Sequence, residues 1–215
     1  MKLQYQYNGP GLSDCGDSDW DFPVYIVAGG PSAANMIPLI PSDAFVLGVN
    51  NSAFHCRSNA LFSLDSNFIQ KKTIEIRNFK GQKYFAVNPG FHFNLYGDNN
   101  AVYVHKSRLG HVSLDKRYIC GLNSGYGAIH LAVLKGAKKI ALLGLDMTAA
   151  KKSHWHGGYA WGGRTSDNTY NGWFNQFAVM AEYCAKNGIM IYNCNLESRL
   201  DCFPKKSIVE VNNGF

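Results

Sequence analysis

No run of the sequence approaches the roughly 20 consecutive apolar residues needed to cross a bilayer. Residues Met1 to Pro10 are polar and aromatic, without the charged start and apolar core of a secretion signal. Both absences set the expectation of a cytoplasmic protein. Linkers are missing too: no segment carries the sustained Pro, Ser or charge enrichment that keeps a chain solvated, and no internal repeat is visible. A chain of 215 residues is expected to form a single domain, bounded here as 23–204, with an extension (1–22) before it and a tail (205–215) after it. The six cysteines, Cys15, Cys56, Cys120, Cys184, Cys194 and Cys202, have no CxxC pair and no close Cys/His spacing, which excludes a structural zinc motif and leaves reduced thiols as the expectation. Charge is sparse: 17% charged against 46% hydrophobic residues excludes a disordered chain. The net charge of +6 favours phosphate-bearing partners, but the basic residues fall in scattered pairs such as Lys71-Lys72 and Lys205-Lys206, so nucleic acid is the minor reading.

What the sequence does contain is a series of short apolar runs that stop on small or polar residues. Pro23–Ala28, Ala44–Val49, Ala60–Leu64, Lys83–Val87 and Lys139–Leu145 read as buried strands, ending at Gly29-Gly30, Asn50-Asn51, Asp65, Asn88 and Asp146. Ile189–Asn193 is a last strand, and Ala101–His105 a weaker candidate. Helices are expected over Ala33–Leu39, from Ser124 to a stop at Gly136, and over Trp173–Lys186 up to Gly188. Such alternation implies a single Rossmann-like α/β domain, a doubly wound, mainly parallel sheet with helices on both faces. Parallel strands are covered on both faces, so side chains that meet a ligand are confined to their carboxyl ends.

Gly29-Gly30-Pro31-Ser32 stands where a strand gives way to a helix, and backbone amides there can face a phosphate with no side chain between. It is neither the dinucleotide fingerprint nor a P-loop. Read with the other strand ends, Asn50, Asn51, Ser63, Asp65, Asn123, Ser124, Gly125 and Asp146 would line one crevice and supply amide, hydroxyl and carboxylate partners for a base and ribose. Taken singly, each reads equally as a cap or turn residue. The segment Ser153-His154-Trp155-His156-Gly157-Gly158-Tyr159 sets two imidazoles two residues apart, on one side of an extended chain. Three readings follow: His154 or His156 as general base, a metal site with Asp146 as third ligand, or an aromatic lid with solvated histidines. Arg164 and Lys152 in the same loop would neutralise a leaving phosphate.

Several of these segments resemble the small bacterial sialyltransferases and a wider set including archaeal-type hydroxymethylpterin diphosphokinases and phage proteins. They are Ile26–Ser32, Val49-Asn50, Asn123-Ser124-Gly125, Gly136–Asp146 and Ile191–Asn195 with Ser198 and Leu200. The resemblance spans about residues 23 to 204. It implies that Gly30, Ser32, Asn50, Asn123, Ser124, Gly125 and Asp146 hold a nucleotide, the cytidine monophosphate part of an activated sugar in the sialyltransferases. It also implies metal-independent transfer, with Tyr159 holding the leaving phosphate. In this chain Gly121 stands where the sialyltransferases carry an Arg, and Tyr170-Asn171 where they carry their catalytic His. The expectation is therefore a nucleotide-dependent transferase, moving a glycosyl group from a nucleotide-activated (CMP-type) sugar donor to an acceptor hydroxyl, with no firm cofactor. The alternatives are a Mg-dependent diphosphotransferase, which needs Asp65 and Asp146 close together, and a binding module without catalysis. The expected partners are a small-molecule donor and acceptor, with nucleic acid as acceptor the lesser alternative; a homo-oligomer is compatible with the sequence.

Overall fold

The computed structural model describes residues 12, 20–88, 100–107, 111–149, 154–157 and 165–215. The apolar runs form strands β1 (Val24–Val27), β2 (Phe45–Val49), β3 (Ala60–Ser63), β4 (Gln82–Val87), β5 (Ala101–Ser107), β6 (Tyr118–Cys120), β7 (Lys139–Leu143) and β8 (Met190–Asn193). They join in one sheet, in the order β6-β5-β4-β3-β2-β1-β7-β8, and every pairing is parallel. The helices are α1 (Ala33–Met36), α2 (Ser52–His55), α3 (Ser66–Lys71), α4 (Thr73–Asn78), α5 (Ser124–Leu134), α6 (Asp167–Lys186) and α7 (Ile208–Gly214). The expected Rossmann-like α/β architecture is what the chain forms.

Alternation along the strands divides the core in two, because successive side chains point to opposite faces. Val24 and Ile26 of β1, Leu47 and Val49 of β2, and Ile140 and Leu142 of β7 pack with α5 and with Phe177, Met180 and Cys184 of α6. On the opposite face Tyr25, Val27, Val46, Ala141 and Leu143 meet α1 and α7, while Leu61, Phe85 and Tyr103 meet α2, α3 and α4. Each such Val, Leu, Ile or Phe contributes roughly 1.5–3 kcal/mol on burial, which holds the sheet between its two helical layers.

Helix α5 is buried on every side from Ser124 to Leu134, so its apolar residues are not confined to a single stripe. Its one imidazole, His130, is a satisfied core residue: the Cys120 amide donates to Nδ1 at 2.9 Å, and Nε2 therefore carries the proton that reaches the Ser113 carbonyl at 2.7 Å.

Several elements differ from the expected ones, each for a local reason. Helix α6 begins at Asp167 rather than Trp173 because the Ser166 hydroxyl accepts from the Thr169 amide and caps it, and Arg199 fastens its first turn to Asp167 and Asn171. Strand β7 stops at Leu143 because Gly144 turns away with φ +71°. The tail, 205–215, folds as α7: Ser207 and Glu210 form a reciprocal capping box, and Ile208 and Val211 are buried. Trp20, in the amino-terminal extension, is buried against Phe45 and Tyr84, with its amide on the Lys135 carbonyl. Among the described residues, no helix is long and apolar enough to cross a membrane.

Candidate functional site

The strand order reverses at β1: β2 to β6 lie on one side of it, β7 and β8 on the other. At such a reversal the connections leave in opposite directions, and a crevice opens at the carboxyl ends of the two central strands. Here those ends are Ala28–Ser32 after β1 and Gly144–Asp146 after β7.

Asp146 organises the floor of this crevice. Its Oδ2 accepts from the Ser32 amide at 3.0 Å, and its Oδ1 from the Ser32 hydroxyl and from Asn195 Nδ2, the latter at 2.9 Å. The Asp146 carbonyl is held by the Arg199 amide at 3.1 Å. Gly30 is required by contact rather than conformation, since a Cβ there would lie 2.5 Å from the Gly144 carbonyl oxygen and 2.7 Å from Asp146 Cγ. The Gly30 amide is already bonded to the Gly144 carbonyl at 2.8 Å. The Gly29-Gly30-Pro31-Ser32 turn therefore differs from a bare phosphate cradle: two of its amides are engaged, and the carboxylate of Asp146 occupies the place an anion would take.

Residues 154–157 close over the same turn. The Trp155 amide donates to the Gly29 carbonyl at 3.0 Å, and its indole Nε1 lies 3.1 Å from the Ala28 carbonyl and 3.2 Å from Ser52 Oγ. His154 lies against Gly29, where a Cβ would sit 2.6 Å from its Cδ2. The rings of His154 and His156 are 5.1 Å apart, and His156 stacks on His55 at 5.4 Å and 11°. Asn51 Nδ2 reaches His156 Nδ1 at 3.5 Å. The two loop histidines thus join a third imidazole, His55 on α2, which no periodicity or spacing in the chain points to. Burial lowers the pKa of His154, and burial with His154 and His55 alongside lowers that of His156 to about 4. Both rings are neutral near pH 7. Of the two, His154 is the better proton acceptor.

The remaining strand ends divide between structure and ligand. Asp65 caps α3, accepting from Asn67 and Phe68 amides at 2.9 and 3.3 Å, and Ser63 Oγ accepts from the Asp65 amide at 3.0 Å. These two are spent on the turn. Asn123 caps α5 through Oδ1, at 2.9 Å from the Tyr126 amide, and Ser124 Oγ accepts from the Leu64 amide at 3.3 Å. Gly125 lets α5 approach the segment that follows β7, where a Cβ would lie 2.6 Å from Leu145 Cδ2. Asn50 adopts φ 52°, which asparagine tolerates. Asn50 Oδ1 and Asn123 Nδ2 are buried with no hydrogen-bond partner, as expected of groups whose partner is a ligand or ordered water. Because the Asn50 amide bonds the Phe62 carbonyl and Ser124 bonds Leu64, both asparagines flank the carboxyl end of β3.

Tyr159, Arg164 and Lys152 lie outside the described residues. The metal reading loses its geometry: among the described residues, no group of three His, Cys, Asp or Glu side chains is placed to hold an ion. Asp65 and Asp146 follow β3 and β7, three strand spacings apart, or about 14 Å, so they do not pair around one magnesium. Gly121, with φ +137° and the Tyr126 ring 2.6 Å from where its Cβ would lie, has no room for a side chain. Tyr170 is half-buried on the first turn of α6; burial, with Asp146 and Asp167 nearby, raises its pKa. His55 and Arg199 join the site without a sequence signal, whereas Trp155 stands in the aromatic His-Trp-His segment and Asn195 at the end of the last strand.

Fold and site together define a Rossmann-like α/β domain with a polar, imidazole-rich crevice at the reversal of its strand order. Compared with protein families, with curated proteins and with solved structures, the chain matches none.

Proposed function

We propose that the chain is a nucleotide-dependent group transferase that moves a glycosyl group from a nucleotide-activated sugar to an acceptor hydroxyl. The observation that carries this reading is the gathering of His154, His156 and Asp146 at the reversal point, beside buried asparagine groups at the end of β3 that lack protein partners. Asn50 and Asn123 offer an acceptor and a donor to the edge of a base, and Asp146 fixes the glycine turn over which the sugar lies. A neutral His154 accepts the proton of the acceptor hydroxyl as its oxygen bonds the sugar. The sugar–phosphate bond breaks with its electron pair, and the nucleotide leaves. Tyr159 and Arg164 are the expected partners of that leaving phosphate.

Calorimetric titration of the full chain with a panel of nucleotides and nucleotide sugars tests the reading; no binding by any of them refutes it. If donor binds and turns over, His154→Ala should lower kcat by about 10²- to 10⁴-fold with little change in donor affinity. Turnover unchanged in His154→Ala removes its role as base. A chain that binds donor but gives no turnover with any acceptor hydroxyl is a binding module instead.

A further inference from the structure

The crevice occupies the carboxyl ends of the strands, and another cavity opens at the opposite end of the sheet. It lies under the amino ends of β1 and β2 and measures about 530 Å³, within the roughly 300–1,000 Å³ of small-molecule sites. Four aromatic side chains line it, Phe22, Tyr25, Phe45 and Phe215, and they form two pairs. Phe22 and Phe45 are 4.9 Å apart at 41°, and Tyr25 meets Phe215 edge-on at 6.1 Å and 70°. Phe22 remains 40% exposed.

Asp43 is the one charged side chain among the described residues that line this cavity. It is exposed, and no ion pair among the described residues uses its carboxylate. Arg57, on the adjoining loop, is turned instead to main-chain oxygens: its Nη2 donates to the Pro41 and Ala44 carbonyls at 3.0 and 2.9 Å. The charge of Asp43 reaches the cavity wall at Tyr25, whose pKa is raised by burial first and then by Cys194 and Asp43.

Aromatic faces carry negative potential, and with a carboxylate beside them they attract an organic cation. Hydrogen bonding selects the kind of cation. A primary ammonium brings three N–H donors that need acceptors. The amide oxygens at this cavity are already in use: Asn212 Oδ1 accepts from the Tyr25 hydroxyl at 2.8 Å, and Asn59 Oδ1 accepts from the Val46 amide at 2.8 Å and from Arg57 Nη1 at 3.5 Å. A quaternary ammonium has no donor to satisfy, and its methyl groups pack on the rings.

We propose that this cavity is a second ligand site, for a small molecule with a quaternary ammonium head. Asp43 supplies the counter-charge, and Phe22, Tyr25, Phe45 and Phe215 supply apolar walls that attract the cation. Because it lies at the other end of β1 and β2 from the crevice, the site stands or falls separately from the transferase reading.

The test is titration of the full chain with choline chloride in place of sodium chloride, at fixed ionic strength, following the choline methyl resonance by NMR. Choline should bind about tenfold or more tightly than its neutral carbon isostere, in which a tert-butyl group replaces the trimethylammonium. It should bind about threefold or more tightly than ethanolamine, whose ammonium needs acceptors. Asp43→Asn should weaken choline by about three- to fivefold and leave the isostere unchanged. Phe22→Leu keeps an apolar side chain without a ring face, and should weaken choline by about three- to tenfold while the isostere changes by less than about twofold. If Phe22→Leu loses its thermal transition, Asp43→Asn, at an exposed position, still gives the answer. An isostere bound as tightly as choline, or choline binding unchanged by both substitutions, overturns the site. Ethanolamine bound as tightly as choline overturns the quaternary class. A parent that does not bind choline overturns the proposal outright.

Discussion

Gly30→Ala is the sharpest perturbation of the crevice. The substitution asks for no forbidden backbone angle, so its effect comes from contact alone. The added methyl would lie 2.5 Å from the Gly144 oxygen, 2.7 Å from Asp146 Cγ and 2.8 Å from Asp146 Oδ2. The oxygen is backbone, fixed by its 2.8 Å bond from the Gly30 amide, so Asp146 must yield, and Ser32 and Asn195 lose their common acceptor. Overpacking of this kind costs about 1–3 kcal/mol, and partial loss of the Asp146 hydrogen bonds adds about 1 kcal/mol, for a total of roughly 2–4 kcal/mol. Gly172→Ala is the matched control. It lies in α6 with nothing within 4 Å of its added methyl, and helix propensity alone should stabilise it by about 0.8–1 kcal/mol. Urea denaturation of both proteins measures the two effects with opposite signs. A Gly30→Ala protein as stable as the parent would refute the claim that Asp146 is clamped against this turn.

Four further outcomes follow from particular contacts. Asp146→Asn cannot accept from the Ser32 amide, its hydroxyl and Asn195 together, and should cost about 1–3 kcal/mol in chemical denaturation; a neutral substitution would contradict the network. Trp155→Phe removes the indole donor from Ala28 and Ser52, so amide hydrogen exchange of residues 154–157 should rise about fivefold or more, corresponding to about 1 kcal/mol; unchanged protection would mean the indole does not hold this segment. His130 and His156 have pKa values lowered by burial, His156 to about 4. In the window from about 6.5 down to about 4 the unfolded chain binds protons that the fold resists, so stability is full above the window and falls as pH drops through it. His156→Asn should flatten part of that slope, and a parent whose denaturation midpoint is level from pH 7 to 4.5 would refute the assignment. Ser207→Ala breaks the α7 capping box and should cost about 1 kcal/mol in thermal denaturation while leaving ligand binding intact; a loss of binding would tie α7 to the crevice.

The strands were legible because burial on both faces writes itself as continuous apolar runs, as in Ala60–Ser63 and Lys139–Leu143. Short helices such as α2, α3 and α4 were not, since four to six residues rest on packing and caps rather than on periodicity. The helix within the tail, α7, has its signal in Ser207 and Glu210, which carry the spacing of a capping box. Within the site, the strand-end residues could be named but their duties could not. Asp65 and Asn123 are both caps; Asn123 alone also keeps a buried donor for something else. That distinction depends on distances between segments 50 or more residues apart. His55 was invisible for the same reason: nothing near it in the chain shows that His156 will stack on it.

The two outer strands of the sheet have a consequence for behaviour in concentrated solution. At one margin the amide of Cys120 gives its proton to the His130 ring, and at the other the amide and carbonyl of Asn193 are taken by Pro204 and Lys206 of the returning chain. These contacts shorten the ladder that either border presents to a neighbouring molecule, one way open sheets limit end-on polymerisation. The first of these guards is an imidazole nitrogen, and acid removes it. Once His130 takes a second proton it has no lone pair for Cys120, and this guard on the border of β6 is lost.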